Sequence, residues 1–320
     1  MNNFKKIGLT ALAASLVSVS ANAGELSISG AASMNVGGYS GAEHDGGSTF
    51  SMGNQFTVSG GGELDNGMTV SISYQLDDNA GVSGPFDDHS VTVSSDAMGS
   101  LTLHGHGGGS ATSGMDATAA GNVWDTFDGI GLATGVTHTN SAPGNNSLNY
   151  TMPTIMDGVA VDISYQPQQS GNTIDSGTGY ALTYTGVEGL TVGYAQDDNG
   201  FDGTSKYETE VMYAKYAFGS FTVGVTESER NQEGATAGDD DFSAMGVTYQ
   251  VSDDLTIGYN ASERQFGDKT GDQENKALSV SYTSGGMTIS AAHVSMDNVG
   301  GSTLAIDDVD GYAIDIGFAF

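Results

Sequence analysis

Two histidines and several groups of carboxylates are the residues of this chain whose types and spacing could do chemistry. In Ser100-Leu101-Thr102-Leu103-His104-Gly105-His106 the imidazoles stand two positions apart. On a strand that spacing puts both on one face, about 6.6 Å apart, opposite Leu101 and Leu103. Such a pair can titrate near neutral pH or share a transition metal, although no third ligand is visible in the sequence. The plainer reading is two wetted histidines with no special role. Shortly after them, Asp116, Asp125 and Asp128 surround the only tryptophan, Trp124, which stands with Phe127 and Ile130.

More acids come in runs: Asp197-Asp198-Asn199-Gly200-Phe201-Asp202-Gly203, Asp239-Asp240-Asp241, and Asp307-Asp308 with Asp310. The first is similar to half of a calcium loop, but the bidentate glutamate at the twelfth position is missing. Loosely bound Ca2+ at these acidic stretches, bridging to an anionic lipid surface, is one expectation; solvated loops are the plainer one. The chain has no cysteine, no Gly-x-Ser-x-Gly elbow and no His-Glu-x-x-His pair, so neither an enzyme nor a resident cofactor is expected.

The elements that must position these groups start with an export signal. Lys5 and Lys6 precede an uncharged apolar stretch, Ile7 to Val19, and a small-x-small site at Ala21-Asn22-Ala23. This predicts a signal peptide over residues 1–23 and a mature domain over 24–320. Exported chains often carry disulfides, and this one has none to make. With Lys5 and Lys6 removed, six bases face 39 acids, a net charge of −33. That excludes a nucleic-acid surface, which needs a basic footprint, and favours cationic partners.

The mature chain reads as strands. Segments such as DNGMTVSISYQL, EGLTVGYAQ and DDLTIGYNA alternate with period two, which is a strand period and not a helical one. In the first, Met68, Val70, Ile72, Tyr74 and Leu76 oppose Thr69, Ser71, Ser73 and Gln75. Sixteen such strands are expected between residues 25 and 320. The strand over 206–217 reads in either parity, because Val211 and Tyr213 compete with Met212, Ala214, Tyr216 and Phe218. Connections alternate between short turns, such as Asp65-Asn66-Gly67 and Ser284-Gly285-Gly286, and long polar stretches, such as 78–87, 107–145, 198–205 and 229–240. Asn-Gly and Gly-Gly pairs supply the positive φ of tight hairpins.

An even antiparallel set with short turns at one end and long loops at the other predicts an all-β transmembrane barrel. In hydrocarbon every backbone donor and acceptor must be paired, so the sheet must close. A soluble sandwich of sixteen strands would need two domains, and no linker divides the chain. The composition alone also allows a secreted acidic calcium-binding β-protein, an adhesin or surface-layer component. Strand parity and loop alternation favour the barrel.

At its C-terminus the chain reads GYAIDIGFAF, with Tyr312, Ile314, Ile316, Phe318 and Phe320 on one parity. With the export signal, the first strand ELSISGAASMNVGGY, the hairpin repeat and the long third loop, this resembles the general, non-specific porins of Gram-negative bacteria, the trimeric sixteen-stranded kind of alphaproteobacterial type. The resemblance covers the whole chain. It implies passive diffusion of small hydrophilic solutes and ions across the outer membrane, and a homotrimer. It implies that Tyr312, Phe318 and Phe320 form a signal read by the barrel assembly machinery. It also implies that the third loop, residues 107–146, folds inward as a constriction. Trp124 and Phe127 would then pin the loop to the wall, with Asp116, Asp125, Asp128, His104 and His106 lining the pore.

The family sets arginines and lysines on the wall opposite this loop. Here no Lys or Arg occurs between Ile7 and Ser205. The early wall strand offers only Ser51, Gly53, Gln55 and Thr57 inward. The expectation is therefore a lumen of one sign that prefers cations.

Overall fold

The computed structural model describes residues 26–41, 47–77, 87–115, 145–168, 176–201, 205–233, 238–303 and 308–320. The expected leader, residues 1–23, lies outside them. The strands are β1 (Ser27–Ser40), β2 (Gly47–Glu63), β3 (Thr69–Asp77), β4 (His89–Ser95), β5 (Gly99–His106), β6 (Ser147–Thr151), β7 (Val159–Gln166) and β8 (Gly177–Val187). They continue as β9 (Leu190–Phe201), β10 (Ser205–Phe218), β11 (Phe221–Gln232), β12 (Asp240–Gln250), β13 (Leu255–Phe266), β14 (Gln273–Ser284), β15 (Met287–Asp297) and β16 (Val309–Ala319). Each pairs antiparallel with its sequence neighbours, and β1 pairs with β16, so the sheet is a closed sixteen-strand barrel. Closure leaves no edge strand. Among the described residues no helix is long and apolar enough to cross a membrane.

The two parities sort as the alternation predicts. Ile28, Met34, Phe50, Met52, Leu101, Leu103, Leu278, Tyr312, Ile314 and Phe318 point out of the barrel and are exposed. In water such a continuous apolar face would be a liability; against lipid it is the solvated state. Short turns close one end, and Gly67 and Gly285 take positive φ there. At that end Tyr216, Phe218, Phe221 and Tyr249 form a row of rings, with successive centroids 5.6, 5.7 and 4.7 Å apart. Amphipathic and aromatic rings in this position form an interfacial girdle.

The ambiguous strand is resolved by burial. Val211 is fully buried inside, while Met212, Tyr216 and Phe218 are exposed on the outside. Val211 lies opposite Ala195, and the two belong to an apolar cluster inside the barrel. An inward apolar residue here reflects something packed against the inner wall.

Several strands run further towards the long loops than expected. The stretch 198–205 was expected to be a loop, yet β9 continues to Phe201 and pairs Asp198 with Glu208 and Asn199 with Tyr207. Likewise β11 reaches Gln232 and β14 begins at Gln273. Apolar alternation stops where the lipid stops, but backbone pairing has no reason to stop there. The chain end completes the closure. Gly30 N–H donates to the Phe320 carbonyl at 2.8 Å, and Phe320 N–H donates to the Gly30 carbonyl at 3.0 Å.

Candidate functional site: the inner wall and the third loop

Residues 107–115 leave β5 and run sideways across the inner face of the wall. Asn149 Nδ2 on β6 donates to the Gly109 carbonyl at 2.9 Å. The Ala111 amide donates to Ser164 Oγ on β7 at 3.0 Å. The Thr112 amide donates to Asp197 Oδ2 on β9 at 3.1 Å, and the Thr112 hydroxyl donates to the same oxygen. A short 3-10 turn, Thr112–Met115, follows. It seats Met115 in a cluster with Ala111, Ala181, Ala195 and Val211, bordered by Tyr213. This segment therefore touches the inner faces of five successive strands, β6 to β10.

Asp197 is 1% exposed. A buried carboxylate is tolerable only when donors replace its water, and the amide and hydroxyl of Thr112 do that. Sequence reading placed Asp197 in a solvated acidic run and missed this role. The signal was present: Gly193, Ala195 and Asp197 continue one parity, and that parity faces inward. Asp202 and Gly203, at the end of that run, lie outside the described residues. So do Asp116, Trp124, Asp125, Phe127 and Asp128 of the expected constriction.

The expected lumen of one sign is corrected by the late strands. Arg230 continues the inward series Thr226, Ser228 on β11, and Arg264 continues Asn260, Ser262 on β13; all four polar residues are buried. Both guanidinium groups converge on Asp240, Arg264 at 2.8 Å and Arg230 in direct contact. Arg230 also lies 5.1 Å from the Tyr207 ring centre, and Arg264 lies 4.8 Å from that of Phe266. Lys215 falls on the same inward parity of β10. Arg230 was missed because its strand was expected to end at residue 228, whereas β11 runs to Gln232. Arg264 stood at the last position of the strand expected over 255–264 and was not assigned to the inner wall. Asp240, read as a loop acid, is instead 5% exposed and clasped by two arginines.

The outer face at the loop end is acidic. Glu210 lies directly opposite Glu229, and Glu229 lies opposite Asp241. The Tyr194 hydroxyl donates to Glu210 Oε1 at 3.2 Å. Glu210, Glu227, Glu229, Asp241 and Glu263 line an open cavity of about 360 Å³ here.

His104 and His106 are separated by an irregularity. His104 stands opposite Ser90, but His106 stands opposite His89, leaving Gly105 as an extra residue. A bulge of this kind breaks strict alternation, so the rule that put both imidazoles on one face does not run through Gly105. His104 keeps the inward parity, paired with Ser90 and the buried Ser147. His106 instead meets Asp88, Nδ1 to Oδ1 at 3.5 Å.

Comparison with known proteins agrees with this architecture. A family model described as Gram-negative porin matches residues 8–302. None of the curated proteins matches the chain in sequence. Among solved structures, the anion-selective porin from Comamonas acidovorans is similar over 92% of this chain and 99% of its own, at 15% identity and a TM-score of 0.69. A triple mutant of the Rhodopseudomonas blastica porin is similar over 92% and 100%, at 16% identity and a TM-score of 0.67. The outer-membrane-expressed OmpT of Vibrio cholerae is similar over 94% and 99%, at 14% identity and a TM-score of 0.68. At these identities the likeness speaks for the fold.

Proposed function

The chain belongs to the Gram-negative porin family and is an outer-membrane protein, and from that premise we propose that it is a cation-preferring diffusion channel for small hydrophilic solutes. Family and fold support a channel over an enzyme. The secreted calcium-binding alternative accounts for neither.

The cation preference rests on the charges that alternation turns inward. Glu63, Asp77, Asp162, Asp197, Asp240 and Asp315 share the inward parity with only Lys215, Arg230 and Arg264. Both arginines are engaged with Asp240. The net charge of the chain points the same way. A water-filled lumen with surplus negative charge concentrates cations, and salt screens the effect. The docking of residues 107–115 on the inner wall supports a third loop that narrows the passage, with Asp116, Asp125 and Asp128 adding to the negative field. Assembly as a homotrimer, and delivery by the assembly machinery through Tyr312, Phe318 and Phe320, belong to the same proposal.

The test is the reversal potential of the purified full-length mature protein in a planar bilayer under a salt gradient. A potential on the cation side that shrinks as salt rises is expected. An anion-side potential would overturn the preference and leave the channel standing.

A further inference from the structure

Asp87, Asp88 and His106 each offer one ligand atom, and these atoms lie within 4.8 Å of one another. They meet where the chain enters β4 and leaves β5, at the loop end of the wall. We propose that they form a binding site for a first-row divalent metal of the zinc class.

Three observations carry this. The first is distance. His106 Nδ1 and Asp88 Oδ1 are 3.5 Å apart, beyond a normal N–H···O hydrogen bond of about 2.7–3.2 Å. A tetrahedral ion with bonds of about 2.0–2.1 Å holds its donors about 3.4 Å apart. The second is the state of His106 Nδ1. It is shielded from solvent and has no hydrogen-bond partner, although the imidazole itself is 44% exposed. A shielded ring nitrogen facing a carboxylate at that distance is suited to sharing a cation with it.

The third is the backbone. A side-chain carbon at Gly107, where φ is +72°, would fall 1.7 Å from Asp88 Oδ1, and one at Gly105 would fall 2.0 Å from His89 Nε2. The alternating His-Gly-His-Gly therefore lets the carboxylate of Asp88 and the ring of His89 lie on the backbone of the bulge.

The donor set selects the ion class. One imidazole and two carboxylates suit Zn2+, Ni2+ or Mn2+ with water completing the shell. Calcium takes six to eight oxygens, and this site supplies a nitrogen and few oxygens. Sequence reading looked for a third ligand to His104 and His106. The bulge removes His104 from the set, and the two aspartates that precede β4 replace it. A bound ion would tie that segment to the root of the inserted segment, beside Gly107. The site goes beyond the channel reading and does not depend on it, because binding is measured without conductance.

The experiment is calorimetric titration of Zn2+ into the folded mature protein in detergent. One site per chain is expected, weakened at least tenfold in His106→Gln and in Asp88→Asn. His293→Gln, whose ring stands between Leu278 and Tyr312 on the outer wall, should bind like the parent. Equal binding in all variants would place the ion on the acidic rim and overturn the proposal, as would no binding to the parent. Zinc-edge X-ray absorption on the parent is independent of variant folding. A shell with imidazole nitrogen supports the site, and an all-oxygen shell overturns it.

Discussion

Thr112 and Asp197 stand 85 residues apart in sequence and meet inside the barrel, where the Thr112 amide and hydroxyl both donate to one oxygen of the Asp197 carboxylate. The contact fastens the first turn of the inserted segment to β9. Hydrogen bonds to a charged group contribute about 1.5–3 kcal/mol. Asp197→Ala should therefore lower the unfolding free energy by about 2 kcal/mol and raise single-channel conductance as the segment loosens. Asp197→Asn, which keeps an acceptor, should do less. Unchanged conductance and exclusion size in Asp197→Ala would show that this anchor does not limit passage.

Asp240 with Arg230 and Arg264 sets a second expectation. Removing the partners of a buried ion pair costs about 3–5 kcal/mol, because a charge is left buried and alone. The double substitution Arg230→Ala, Arg264→Ala should be destabilised by that order in a urea titration. If it folds, its reversal potential should move towards the cation side. Asp240→Asn should move it the other way. Movement of both in one direction would place these charges away from the ion path.

Glu210 faces Glu229 across the β10–β11 ladder on the outer rim. Like charges directly opposite one another destabilise a sheet, with pair effects of about 0.2–1 kcal/mol. Glu229→Gln should raise the thermal midpoint slightly at low salt, and the gain should fade at high salt. A loss of stability on neutralisation would mean that the carboxylate is held by a cation that compensates the repulsion.

Phe320 closes the ring of strands through two backbone bonds to Gly30, and its side chain is 82% exposed. Backbone bonds survive a change of side chain, so Phe320→Ala should refold in detergent with near-parent stability. If the ring is a recognition signal, the same variant should reach the outer membrane at a much lower level in cells. Equal levels of parent and variant would remove the assembly role from Phe320.

Alternation by itself determined the barrel. Period-two patterning in sixteen segments sorted lipid-facing from inward residues, because hydrocarbon permits only an apolar outer face and a fully paired backbone. Short turns and long loops gave direction, and GYAIDIGFAF identified the closing strand. The charge of the lumen was not legible in the same way. Arg230 and Asp240 sit beyond the stretches whose alternation marks a strand, and only continued backbone pairing keeps them on the wall. Asp197 and Arg264 close the alternating stretches of β9 and β13, but alternation does not say which groups they meet. The bulge at Gly105 is a local departure from alternation that parity cannot foresee, and it separates His106 from His104 and joins it to Asp88. Patterning follows the solvent each face meets; which polar groups meet one another depends on register and closure, and those exist only once the sheet has folded.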